Sequence, residues 1–198
     1  GDLVSIGGNH FIHAARRNVD ITVICVNNFI YAMTGGQVAP TTPLGANAST
    51  MPYGNFERPF NIPYLAQSSG AVYVARWSAL HVRRLTTAIA EALEKPGFSV
   101  VEVISPCSTL YSRRNRLGTG LDLMKFYHDN SHIELDSDTA DLAIEYQKTI
   151  KVGRFVDIER PTWHELSDRQ HLASLGDKYY RAAEMEAAQQ EEKTHVQA

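Results

Sequence analysis

The six residues ITVICV at positions 21–26 constrain the fold more than anything else in the chain. They are apolar or β-branched throughout, without polar–apolar alternation, and such a run reads as a strand covered on both faces. Two further runs, AVYVAR at 71–76 and FSVVEVI at 98–104, have the same character. Between them, residues 78–95 place Leu80, Leu85, Ile89 and Leu93 on one side of a helix that Pro96-Gly97 stops. Ahead of the first run, GGNHFIHAARRN at 7–18 reads as a helix with Phe11, Ile12, Ala14 and Ala15 on its apolar side. Its closing Arg16 and Arg17 suit the negative end of the helix dipole. Helix and strand alternating across short joints predict an α/β chain with a mostly parallel sheet and helices on both faces. Ligands of such sheets sit beyond the carboxyl ends of the strands. Three segments hold that position here: the residues just after Gly1, residues 27–37, and Ser105-Pro106-Cys107.

Composition narrows the function classes. A chain of 198 residues can form one domain with a sizeable core and an appended tail. A net charge of -3 offers no basic stripe for nucleic acid, and no apolar run approaches the roughly 20 residues of a membrane span. Cys25 and Cys107 are too few for a disulfide framework, so a reducing compartment is the default. Gly1-Asp2-Leu3 carries neither an initiator Met nor a signal pattern, and the chain reads as the C-terminal part of a longer protein. Residues 38–63 contain Pro40, Pro43, Pro52, Pro59 and Pro63, a long loop of the kind that often carries function. Beyond residue 117 the pattern weakens: a helix is expected over 138–148, a short strand or extended segment over 154–158, and an Ala/Glu-rich helix over 179–192. No internal repeat occurs. The expected division is an α/β domain over residues 1–117 and an arm over 118–198.

Several groups of residues carry chemistry. Gly1-Asp2, followed by Ile6-Gly7-Gly8-Asn9-His10, would let backbone N–H groups approach a phosphate at a helix start, or simply open a helix. Asn27-Asn28 offers amide oxygens suited to a hard cation such as Mg²⁺. The Ile30 carbonyl two residues beyond Asn28 could join the same octahedron. On these residues alone an Asx turn is favoured. Thr34-Gly35-Gly36-Gln37 could cradle an anion or make a turn. Cys107 stands at a strand exit as nucleophile or metal ligand, whereas Cys25 inside ITVICV is a small core hydrophobe. His10 and His13 lie on neighbouring faces of the first helix. No catalytic residue is assigned; His10 could face a site, His13 is expected to pack, and the pair could bind a metal but no third ligand with suitable spacing follows. Arg113-Arg114-Asn115-Arg116 could bind an anion or a partner's acid, or form an exposed basic loop.

The stretch GDLVSIGGNHFIHAARRNVDITVICVNNFIYAMTGGQVAPTTPLG, with the later SPC, closely resembles the β subunit of 2-oxoacid:ferredoxin oxidoreductases, most of all the 2-oxoglutarate branch. The resemblance implies a thiamine-diphosphate-binding fold and the cofactors thiamine diphosphate, Mg²⁺ and a 4Fe–4S cluster. It puts Gly1 and Asp2 against the diphosphate, the Asn28 side chain and Ile30 carbonyl on Mg²⁺, and Ala32, Met33 and Thr34 along the thiamine pocket. The family's GDGD motif is represented here only by its final Gly-Asp, so the magnesium carboxylate of the family would be the residue before Gly1. Cys107 matches the fourth cluster ligand, whose three companions lie upstream in the family. The implied reaction is oxidative decarboxylation of 2-oxoglutarate with coenzyme A to succinyl-CoA and CO₂, with electrons passing to ferredoxin. The implied setting is a cytoplasmic hetero-oligomer of anaerobic metabolism. In that family a partner α subunit supplies the glutamate that activates the cofactor and much of substrate recognition, which implies that the chain alone should be inactive and that residues 118–198 should contact partner subunits. Two alternatives remain: a pyruvate or branched-chain 2-oxoacid paralogue, and a non-catalytic scaffold subunit that keeps the fold. The cation that would hold the substrate's distal carboxylate is not identifiable from the sequence.

Overall fold

A computed structural model of the chain describes residues 1–105 and 107–180. Helix α1 spans Gly8–Arg17 and is followed by strand β1, Ile21–Asn27, and a small hairpin of β2, Ile30–Tyr31, with β3, Gln37–Val38. After the proline-rich loop come α2, Ile62–Ser69, β4, Tyr73–Ser78, α3, Val82–Glu94, and β5, Phe98–Ile104. The remainder comprises α4, Tyr111–Arg114, α5, Gly120–Asn130, β6, Ser131–Ile133, β7, Ile150–Asp157, and α6, Trp163–Leu175. The main sheet runs β1-β5-β4-β7-β6. β1 and β4 lie parallel on either side of β5, β7 is antiparallel to β4, and β6 is parallel to β7.

Alternation along the central strands divides the core into two layers. Tyr73, Ala75, Trp77, Val101 and Val103 pack against Ala88 and Ala92 of α3. Val74, Phe98 and Val100 face Phe11 and Ala15 of α1 and Ile62 and Ala66 of α2. Helices therefore cover both faces of a mostly parallel sheet, as expected. Every residue of β4 and β5 is buried, in keeping with two-sided cover.

The first strand departs from expectation. β1 lies at the sheet edge, and Ile24 and Val26 are 48% and 61% exposed. The run ITVICV has the composition of a central strand, yet among the described residues it has a neighbour only on the β5 side. His13 is exposed rather than packed, and Ile12 on the expected apolar side is largely exposed as well.

Beyond residue 117 more structure forms than the pattern suggested. β7 continues the central sheet next to β4 and is longer at its start than the segment expected over 154–158. Only the 3-10 turn Thr139–Leu142 forms where a helix over 138–148 was expected: Asp138 caps its start, but Ala143 leaves the helical conformation and the Leu142 carbonyl is taken by Arg76. α5 and α6 both open on reciprocal capping boxes, Thr119 with Asp122 and Thr162 with Glu165. No residue of α6 is buried, so it shows little apolar stripe. Of the helix expected over 179–192, residues 181–192 lie outside the described residues, and Tyr179 and Tyr180 are not helical. No helix among the described residues is long and apolar enough to cross a membrane.

Asn18 joins these parts. It closes α1 in a left-handed conformation at φ 51°, and its buried amide donates to the Arg160 and Pro161 carbonyls, each at 3.0 Å. Its Oδ1 accepts from Phe98 N at 2.9 Å, fixing the start of β5. Asn18→Ala removes one buried and two half-buried bonds and adds backbone strain. It should lower unfolding free energy by about 3 kcal/mol in urea titrations. Asn18→Gly, which relieves only the strain, should recover a minor part of that loss.

Candidate functional site at the carboxyl edge of the sheet

Because β1 and β5 are parallel and in register from Ile21↔Phe98 to Asn27↔Ile104, their carboxyl ends emerge side by side. Ser105 N then donates to Asn27 O at 3.0 Å. The two asparagines at this exit have different surroundings. Asn27 is buried and its amide oxygen is saturated: Nδ2 donates to Glu102 Oε1 at 2.8 Å, and Oδ1 accepts from Phe29 N at 3.1 Å and Thr41 Oγ1 at 2.8 Å. Asn28 is half-buried, and its Oδ1 accepts one long bond, 3.3 Å, from Ile30 N. Its Nδ2 makes no hydrogen bond to the described residues.

Between Asn28 and Ile30, Phe29 adopts φ 66°, a left-handed conformation that is uncommon for a bulky side chain. The conformation is held from both sides. The Phe29 ring packs on Tyr111 with centroids 5.5 Å apart, and its carbonyl accepts from Thr42 Oγ1. This reversal turns the chain so that Asn28 stands outward ahead of the Ile30–Tyr31 segment. An Asx turn is present, and the amide that makes it remains accessible to a ligand.

Gly1 lies against the same segment. A Cβ placed on it would stand 1.9 Å from the Tyr31 ring, so any larger residue would have to displace that ring. The Gly1 carbonyl accepts from Ser5 N and the Asp2 carbonyl from Gly7 N, which coils residues 1–7 into the start of α1. That start has no side-chain cap and no acidic residue in its first turn, and the space beside Gly8 is open. Gly7 N and Gly8 N already donate to the Asp2 and Ser5 carbonyls, so an anion here would draw on the next amides, Asn9 N and His10 N, and on the helix dipole. Asp2 and His10 are exposed.

Residues 34–37 form a turn bonded to itself. Thr34 Oγ1 donates to Gln37 Oε1 at 2.8 Å, Gln37 Nε2 donates to Thr34 O at 2.7 Å, and Gly36 N donates to Tyr31 O at 2.9 Å. Ala32 is half-buried, whereas Met33 and Thr34 are exposed. Cys107 is buried in the apolar cluster that also contains Phe29, Ile30, Tyr111 and Tyr127. Among the described residues no group of three or more His, Cys, Asp or Glu gathers to hold a metal. The donors present are amide and carbonyl oxygens suited to a hard cation bridged to phosphate. One buried thiol does not by itself make a four-thiolate cluster site.

Several contributors were not foreseen. Arg76 on β4 and Glu102 on β5, each 1% exposed, pair through Arg76 Nε and Glu102 Oε2 at 2.6 Å directly behind Asn27. Arg76 also donates to the Leu142 carbonyl at 2.7 Å. The signal was available, since each apolar strand carries one charge of opposite sign. Thr41 and Thr42 of the proline-rich loop bond to Asn27 and Phe29, so part of that loop buttresses the exit. Arg114 lies beside Gly36, with Nε 3.4 Å from where a Cβ would stand, which brings the basic segment next to the Thr-Gly-Gly turn.

Burial, followed by the nearby Glu102 carboxylate, pushes the Cys25 thiol up to about 12. At pH 8 only about one part in ten thousand would be thiolate. Iodoacetamide at pH 8 should therefore leave Cys25 unmodified in native protein and alkylate it in denaturant, as read by peptide mass spectrometry.

Three comparisons bear on the site. The family model described as thiamine pyrophosphate enzyme, C-terminal TPP binding domain, matches residues 1–103. The 2-oxoglutarate synthase subunit KorB of Methanocaldococcus jannaschii is 48% identical over 166 residues, which are 83% of this chain and 61% of that protein. The corresponding subunit of Archaeoglobus fulgidus is 60% identical over 109 residues, 55% of this chain and 41% of that one. The chain thus spans about three fifths or less of the length of these relatives. Among solved structures, a chain of the 2-oxoglutarate:ferredoxin oxidoreductase from Magnetococcus marinus, with 2-oxoglutarate, coenzyme A and succinyl-CoA bound, superposes with a TM-score of 0.75 at 30% identity. The match covers 95% of this chain and 64% of that one.

Proposed function

The chain belongs to the thiamine pyrophosphate enzyme family, whose C-terminal TPP-binding domain it carries, and from that membership we propose that it is the β subunit of a 2-oxoacid:ferredoxin oxidoreductase. Its substrate is 2-oxoglutarate, converted with coenzyme A to succinyl-CoA and CO₂ in a cytoplasmic complex with an α subunit, and ferredoxin takes the electrons. The names of the relatives support the substrate, as do the ligands of the Magnetococcus marinus structure. The observation that carries the cofactor reading is the unequal pair at the strand exit: Asn27 Oδ1 has no free acceptor capacity, and half-buried Asn28 keeps only a 3.3 Å bond from Ile30 N.

Each residue then has a task. Backbone N–H groups at the open start of α1, with Gly1 and Asp2 beside them, hold the diphosphate. Asn28 Oδ1 and the Ile30 carbonyl supply two oxygens to Mg²⁺. Ala32, Met33 and Thr34 line the thiamine. When bound, thiamine diphosphate supplies an electron sink for decarboxylation of the 2-oxoacid. Cys107 is the one thiolate that this chain offers to a 4Fe–4S cluster, the others coming from outside residues 1–198. His10, exposed and near the helix start, is the one candidate here for moving a proton at the substrate.

The test is reconstitution with the partner subunit, thiamine diphosphate and Mg²⁺, followed by coenzyme A-dependent dye reduction. Turnover should be faster with 2-oxoglutarate than with pyruvate or branched-chain 2-oxoacids, and Asn28→Ala should weaken cofactor binding by tenfold or more. An assembled wild-type complex that retains no thiamine diphosphate sinks the enzyme reading. A preference for pyruvate overturns the substrate alone.

A further inference from the structure

We propose that Arg76 and Glu102 are positioning residues for the magnesium–diphosphate seat, acting through Asn27; this inference rests on the cofactor reading of the strand exit. The observations form one unbroken line of hydrogen bonds beneath the sheet edge. The Leu142 carbonyl accepts from Arg76 Nη1, Arg76 Nε donates to Glu102 Oε2, and Glu102 Oε1 accepts from Asn27 Nδ2. Asn27 Oδ1 in turn accepts from Phe29 N and Thr41 Oγ1. The line crosses β4, β5 and β1, because Arg76↔Glu102 and Glu102↔Cys25 are register partners and Asn27 follows Cys25 on the same face.

A buried ion pair is weak grounds for stability, since well-packed apolar residues often serve equally well. Its use in fixing one geometry is better supported where both carboxylate oxygens are committed, as here. Glu102 fixes the rotamer of Asn27 with one oxygen while Arg76 fixes Glu102 through the other. With its Nδ2 thus held, Asn27 presents Oδ1 to the Phe29 amide, and Phe29 stays in its left-handed conformation. That conformation sets the direction of the Asn28 amide and the Ile30 carbonyl. No atom of Arg76 or Glu102 needs to touch the metal.

The paired substitution Arg76→Met with Glu102→Leu removes both charges together and leaves no unpaired ion in the core. In the assembled complex it should fold with an unfolding midpoint close to wild type. Its Kd for thiamine diphosphate in saturating Mg²⁺ should rise about tenfold, whereas kcat at saturating cofactor should fall much less. Thr41→Val, which deletes one bond to Asn27 without changing volume, should raise the same Kd severalfold, and it decides the matter if the pair does not assemble. Unchanged affinity in every variant that folds overturns the inference. Failure of wild type to bind thiamine diphosphate instead overturns the reading beneath it.

Discussion

Arg76 and Glu102 meet in the least accessible part of the sheet, and the carboxyl edge is organised around them. Moving both charges from water to the interior carries a desolvation cost of several kcal/mol per ion, which the protein offsets with geometry. Glu102 is bonded at both oxygens, and Arg76 reaches both a carboxylate and a backbone carbonyl. The acceptor for Arg76 belongs to Leu142, in the short turn that follows β6. Residues far beyond the first strands therefore complete the polar layer beneath the strand exit, and the C-terminal third is structurally continuous with the site.

From that layer outward, constraint decreases in steps. Asn27 is buried with both acceptor positions of its oxygen filled, Phe29 is strained but clamped by Tyr111 and Thr42, and Asn28 keeps only a long local bond. Such a gradient suits a ligand site, in which a rigid interior holds an outer group whose own capacity is left open. The Gly1–Tyr31 contact brings the helix start to the same place.

The sequence showed the architecture where burial is complete and fell short where it is partial. FSVVEVI and AVYVAR identify β5 and β4 because a strand covered on both faces has no room for polar alternation. ITVICV has the same composition but is an edge strand here, since composition reports what a strand can bury and not which neighbours are present. α6 was missed because no part of it is buried, although the Thr162–Glu165 box marks its start. The family resemblance pointed to Asn28 as the metal's ligand, but nothing local to the pair shows why the two asparagines have different surroundings. The reason lies in Glu102, 75 positions away, and no local pattern contains that pairing. Arg76 and Glu102 were visible as lone charges in apolar runs, and only the parallel register makes them partners.

The most direct measurement is a crystal structure of the assembled protein with thiamine diphosphate and Mg²⁺ bound. The account predicts Asn28 Oδ1 and the Ile30 carbonyl at about 2.1 Å from the metal, the diphosphate at the start of α1, and Asn27 still bonded to Glu102. A metal held by Asn27, with Asn28 turned away, would contradict it, as would a diphosphate bound elsewhere on the chain.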